Sequence, residues 1–255
     1  MSQHISVATA DRITTLRFQR PEKKNALTLE MYAALGAALA AARDDSSVRA
    51  IVLTGGRECF TSGNDVGDFM RASQGGGGDI TAPLAFLRTI AELDKPLVAA
   101  VGGVAIGIGT TMLLHCDLVF AAPNARFRTP FVDLGLVPEA ASSLLLPELV
   151  GARRAAQMLL LGEEVDAPTA HAWGLVNAVA DDADAAARLA AAHLASRAPA
   201  ALRTTKQLMR RHLRDAVRDT MAVEGQAFAE RLRSPEAIEA FQAFMTRRSP
   251  DFSKF

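Results

Sequence analysis

Glu139 has the surroundings of a working acid–base group. It follows Pro138, and Leu134, Leu136, Val137 and Leu144 to Leu146 place apolar bulk on either side of it. A carboxyl in such company ionises reluctantly and can carry a proton near neutral pH. An acid in the first turn of an apolar helix is also what the helix dipole favours. The sequence alone leaves both readings open. Two glycine-bearing segments could supply the electrophilic partner. In Val101 to Thr111 (VGGVAIGIGTT) a strand runs through a glycine turn into a helix, which directs free backbone N–H groups at whatever sits there. A dinucleotide fingerprint lacks its third glycine here, because Gly107-Ile108-Gly109 is followed by Thr110-Thr111-Met112. The Gly-Lys-Ser/Thr of a phosphate-binding loop is absent too. An oxyanion hole or tight backbone packing remain as readings. Phe60 to Asp65 (FTSGND) ends a strand in a polar turn, which by itself is an Asx-type turn.

The elements that must position these groups follow from periodicity. Ile5–Thr9 and Ile13–Phe18 read as a hairpin, and Thr28 as the cap of a helix reaching about Arg43. Ala50–Leu53, Leu97–Val101 and Leu118–Ala121 read as buried strands, and Leu175–Val179 as a last short one. Pro83–Leu93 carries Leu84, Leu87 and Ile90 on one helical face. Gln74 to Gly78, with four successive glycines, reads as a mobile loop. Glu139 to about Leu161 reads as two helices broken near Gly151. From Ala183 onward the pattern is helical, with breaks at Pro199 and Pro235. Strands and helices alternate at intervals of roughly 40 residues, which suggests repeated ββα-like turns.

The 255 residues suit one large domain or a domain with a helical extension. Lys+Arg and Asp+Glu both number 28, so no basic excess points to nucleic acid. Cys59 and Cys116 have no metal-ligand spacing and read as reduced thiols; no metal is expected. No leader signature is visible between Met1 and Arg12. Leu97 to Ala122 is long and apolar enough to suggest a membrane span. Its four glycines, with His115 and Asp117 inside it, favour strand, loop, short helix and strand instead.

Six segments, in order, resemble the crotonase (enoyl-CoA hydratase/isomerase) family: RPEKKNAL at 20–27, FTSGND at 60–65, AVGGVAIGIG at 100–109, His115-Cys116-Asp117, RFRTPFVDLGLVPEAASS at 126–143 and AHAWGLVNAV at 170–179. The resemblance covers nearly the whole chain. It implies a mixed α/β fold, a crotonase-type spiral of ββα turns. Residues 1–182 would form the catalytic core, and 183–255 a helical region that builds trimers or hexamers. It further implies an acyl-CoA thioester substrate, with coenzyme A part of the substrate and no separate cofactor. The oxyanion N–H groups would be those of Asn64 and Ile108. Coenzyme A would be met by Lys23, Lys24, Ser62, Gly63, Asp65 and Val66. Thr111, Phe131 and Pro138 would line the acyl pocket.

Departures from the family pattern narrow the reading. The two glutamates of hydratases fall at Thr111 and Phe131, and neither residue can activate water or protonate a carbon. A dienoyl-CoA isomerase would also need an acid at Phe131. The single remaining acid, Glu139, is similar to that of the Δ3,Δ2-enoyl-CoA isomerase branch, in particular its peroxisomal type. An aromatic ring-epoxide-CoA isomerase is the alternative enzyme, with a hydratase behind it. A CoA- or RNA-binding homologue without turnover is the alternative outside enzymes. Asp133 reads as structural. Arg203, Lys206, Arg210, Arg211 and Arg214 form a basic face expected to meet solvent or a neighbouring subunit. Phe228, Leu232, Phe241 and Phe244 are expected to need a partner surface. The Ala- and Arg-rich composition suggests a bacterial, cytoplasmic protein. The final Ser253-Lys254-Phe255 differs from a peroxisomal Ser-Lys-Leu address in its last residue.

Overall fold

The amino-terminal hairpin consists of β1 (Ile5–Ala10) and β2 (Ile13–Phe18), paired antiparallel around a left-handed turn at Asp11 and Arg12. The computed structural model describes residues 2–73 and 81–255; the glycine run at 74–78 lies outside them. The Thr28 side chain accepts the Met31 N–H and so caps α1 (Leu29–Asp44). Next come β3 (Ala50–Thr54), β4 (Cys59–Thr61), α2 (Val66–Ser73) and α3 (Thr81–Glu92). The glycine segment opens as β5 (Leu97–Val101) and β6 (Val104–Ile106), then turns into the short α4 (Ile108–Thr111). Strands β7 (Leu118–Ala121) and β8 (Arg126–Arg128) follow.

These strands build two sheets, one in the order β1-β2-β3-β5-β7 and the other β4-β6-β8. The first strand of each successive pair joins the larger sheet and the second joins the smaller. All joins from β2 to β7 and from β4 to β8 are parallel. These are the repeated ββα turns that the alternation suggests, arranged as the spiral that the family resemblance implies. Parallel strands buried on both faces read as continuous apolar runs, as Ala50–Thr54 and Leu97–Val101 do.

The chain continues through α5 (Ser142–Val150), α6 (Ala152–Leu160), β9 (Val165–Asp166), α7 (Ala167–Ala172) and β10 (Ala178–Val179). β10 extends the larger sheet beside β7 and β9 closes the smaller. The last strand is therefore shorter than Leu175–Val179, since Leu175 and Val176 are packed into the core before pairing begins.

Four helices end the fold: α8 (Ala183–Ala195), α9 (Pro199–Arg210), α10 (Arg214–Leu232) and α11 (Pro235–Met245). Ala183, Ala187, Ala191 and Ala195 form one stripe of α8, buried against Ile13, Ala50, Val52, Val98 and Ala100 of the larger sheet. Alanine at every fourth position lets the helix axis come close to the strands. The first helix beyond residue 182 is thus a layer of the core. Among the described residues no helix is long and apolar enough to cross a membrane.

Two expectations for the carboxyl-terminal helices are corrected. Lys206 is 7% exposed. Its ammonium donates to Asp117 at 2.7 Å and to the Lys95 carbonyl at 2.7 Å. Arg210 reaches the other Asp117 oxygen at 2.9 Å, and Arg203 pairs with Asp94. The basic face is in part the underside of α9, docked on acids of the body. Phe228, Leu232 and Phe241 are buried within the chain, and of the four residues expected to need a partner only Phe244 is exposed.

Candidate active site

The two segments singled out for their glycines meet in space. Gly63 has φ +92°, and a Cβ there would lie 2.8 Å from the Ile106 carbonyl oxygen. Gly107 has φ 55° and ψ −119°, which glycine alone adopts readily. Each glycine sets the peptide plane of the residue after it, Asn64 or Ile108. In the bridge between Leu27 and Asn64, the Leu27 N–H donates to Gly63 O and the Asp65 N–H to Leu27 O. The Asn64 N–H therefore faces away from that pairing. The Ile108 N–H opens α4, where no intrahelical acceptor exists. Neither N–H has a hydrogen-bond partner among the described residues.

Both residues line one cavity with Glu139. Tyr32, Pro83, Leu84, Leu87, Gly225 and Phe228 complete its wall. Tyr32 donates its hydroxyl to the Asn64 side-chain oxygen, so the Asn64 side chain is engaged while its backbone N–H is not. The wall is otherwise apolar, which excludes water and strengthens the action of the few polar groups present.

Glu139 is not in the helix that was expected to begin with it. Ala140 and Ala141 both take left-handed backbone angles (φ 61° and 56°), and α5 starts only at Ser142. The acid that serves the amino end of α5 is Glu224 of α10. Its carboxylate accepts the Ala141 N–H at 2.6 Å, the Ser143 N–H at 2.9 Å and the Ser143 hydroxyl. Glu139 is thereby freed from helix capping and turned into the cavity. Burial pushes its carboxyl up to about 8, the Thr111 hydroxyl that donates to Oε1 pulls the other way, and the charge of Glu224 raises it further.

Thr111 thus touches the acid directly. Phe131 and Pro138 do not line the cavity that holds Glu139, Asn64 and Ile108: Phe131 is buried in the core, and Pro138 precedes the acid in the chain. Lys23 and Lys24 lie in one exposed loop and Ser62 and Gly63 in another beside it, joined where the Ser62 N–H donates to Lys24 O at 2.9 Å and the hydroxyl approaches Lys23 O; Gly63 is buried. Asp65 faces the other way, held by Arg20 at 2.7 Å and capping α2, and Val66 packs on the core. Asp133 is exposed and paired with Arg128 at 2.8 Å. His115 is buried, and its Nε2 lies 2.8 Å from the Ala140 carbonyl; because a carbonyl only accepts, Nε2 carries the proton. Burial pushes the His115 ring down to about 4, so the ring is neutral. Burial also pushes the Cys116 thiol up to about 12, which leaves it a poor nucleophile.

A buried acid opposite two free N–H groups defines a site for proton transfer beside a carbonyl that gains negative charge. Comparison with known proteins places the chain in a family. The model of enoyl-CoA hydratase/isomerase matches residues 8–254, and the chain belongs to that family. It is 37% identical to enoyl-CoA delta isomerase 2 of Rattus norvegicus over 97% of its own length, and spans 64% of that protein. It is 34% identical both to 1,2-epoxyphenylacetyl-CoA isomerase (94% of this chain, 95% of that protein) and to 2,3-dehydroadipyl-CoA hydratase (96% and 97%) of Escherichia coli K12. The solved structure of OdaA from Pseudomonas aeruginosa superimposes with a TM-score of 0.92 at 46% identity, covering 96% of this chain and 99% of that one.

Proposed function

We propose that the chain is a Δ3,Δ2-enoyl-CoA isomerase. The observation that carries this reading is a single acid, Glu139, sharing a cavity with the Asn64 and Ile108 residues whose N–H groups are free, while Thr111 and Phe131 stand where the resemblance implies the hydratase acids. The thioester oxygen of a 3-enoyl-CoA sits between the two N–H groups. Glu139 as carboxylate takes a proton from C2. The electron pair moves into a dienolate whose oxygen the N–H donors stabilise. The protonated Glu139 returns the proton at C4, giving the conjugated 2-enoyl-CoA and regenerating the carboxylate. No water enters, so no second acid is needed. The adjoining loops of Lys23 and Lys24 and of Ser62 and Gly63 would receive coenzyme A, with Asp65 and Val66 shaping the second from within.

Similarity to 1,2-epoxyphenylacetyl-CoA isomerase along nearly its full length supports a second reading, an aromatic ring-epoxide thioester handled by the same acid. The two are separated by assaying each substrate with wild type and Glu139→Gln. A 3-enoyl-CoA should be conjugated, with turnover falling by on the order of 10²–10⁴ in the variant. Turnover of the epoxide alone would overturn the first reading in favour of the second.

A further inference from the structure

The turn that presents Glu139 is expensive for the chain to hold. Two successive non-glycine residues, Ala140 and Ala141, are left-handed, a conformation that the Cβ disfavours in each. Such a turn persists only if its surroundings fix it. Two groups distant in sequence do so. His115 takes the Ala140 carbonyl from one side. From the other, Glu224 takes the Ala141 and Ser143 N–H groups and the Ser143 hydroxyl. Glu224 is 6% exposed and lies on α10, next to Gly225 and one turn from Phe228, both of which line the cavity.

We propose that Glu224 is a positioning residue for Glu139, clamping the left-handed turn that aims the acid at the cavity. The proposal rests on Glu139 being the acid–base group. It gives α10 a second task beside walling the cavity, and it ties the carboxyl-terminal helices to the chemistry. Glu224 also acts by its charge, which opposes ionisation of Glu139. The other titratable groups bearing on this turn are Tyr32 of α1, which senses the Glu139 charge, and His115, which is neutral. Lys206 and Arg210 of α9 act on the far side of His115. Thr111 supplies a hydroxyl to the carboxyl itself, and Ser142 one to the backbone carbonyl of Glu139.

The test uses a readout that needs no substrate. Carboxyl carbons of 13C-labelled glutamate are followed by NMR from pH 5 to 10, with Glu139→Gln identifying the Glu139 signal. In Glu224→Gln the Glu139 midpoint should fall, because a like charge is gone. Turnover on a CoA thioester should drop by up to roughly 100-fold, because an acid displaced by a fraction of an ångström no longer meets the carbon. Glu224→Asp, which keeps the charge but shortens the reach, should leave the midpoint high and still lose turnover; it stands in if Glu224→Gln does not fold. A wild-type midpoint and wild-type turnover in either variant would overturn the proposal. A wild-type protein that leaves 3-enoyl-CoA untouched, with the midpoint shifted in Glu224→Gln and turnover of another CoA thioester lost in both variants, would instead sink the isomerase reading and leave the clamp standing.

Discussion

A carboxyl that titrates near 8 can take and return a proton around neutral pH, as a reaction that borrows one proton requires. As the base must be ionised, kcat/KM should rise about tenfold per pH unit below a midpoint near 8 and level off above it. Thr111→Val removes a hydrogen bond that favours the carboxylate, so the midpoint should move to higher pH; a move to lower pH would contradict the assigned role of that hydroxyl. The same shift has a stability consequence. Glu139 holds its proton in the fold above the ordinary 4.5, so between 4.5 and 8 the native state binds a proton that the unfolded chain releases, and stability falls as pH rises through that window. Glu139→Gln escapes this loss. Its melting temperature should exceed that of wild type by a margin that widens from pH 5 to pH 8. Asp133→Asn, changing an exposed side chain paired with Arg128, should leave turnover near wild type. The apolar setting of Glu139 was legible in Leu134, Leu136 and Val137. Its release from helix capping was not, because the substitute carboxylate, Glu224, lies 85 positions away and nothing local announces it.

At the level of elements, the orientations of the Asn64 and Ile108 peptides depend on glycines that a strand pattern exposes but cannot orient. Gly63→Ala brings a Cβ within 2.8 Å of the Ile106 oxygen at φ +92°. It should cost on the order of 1–3 kcal/mol in urea unfolding and lower kcat more than the stability loss explains, because the Asn64 peptide must rotate. Unchanged kinetics in a folded variant would show that this peptide does not serve the reaction. The hairpin, the Thr28 cap and the buried strands follow the residue pattern because each is set by nearest neighbours. The start of α5 does not. Pro138-Glu139 is a good helix-opening pair, yet the chain delays the helix by three residues into a left-handed turn held by His115 and Glu224. Tyr32 and Phe228 were absent from the expected site for a related reason: periodicity reports which helical face is apolar, not what that face meets.

For the molecule as a whole, α9 is held by a cluster in which Asp117 serves Lys206, Arg210 and the Leu97 N–H together. Burial has already pushed Lys206 down to about 8 against the pull of Asp117. Removing the acid strands a buried cation, so Asp117→Ala should cost about 3–5 kcal/mol in urea unfolding; a loss below about 1 kcal/mol, the scale of an exposed pair, would show the cluster to be solvent-screened. Leu208, Met209, Phe244 and Met245 stay exposed on the carboxyl-terminal helices, and light scattering at micromolar concentration should give a mass of three or six chains; a monomer would contradict that expectation. The repetition of ββα turns could be read from strand alternation, but the folding of α10 back over the chain's own cavity could not, since its apolar residues suit a neighbouring subunit equally well. The central claim, that one acid makes this an isomerase and not a hydratase, is tested most directly by offering the purified protein a 3-enoyl-CoA and a 2-enoyl-CoA side by side. The expected result is conversion of the first to the conjugated thioester, followed by its ultraviolet absorbance, with hydration of the second near background. Rapid hydration of the 2-enoyl-CoA, with the 3-enoyl-CoA left unchanged, would contradict it.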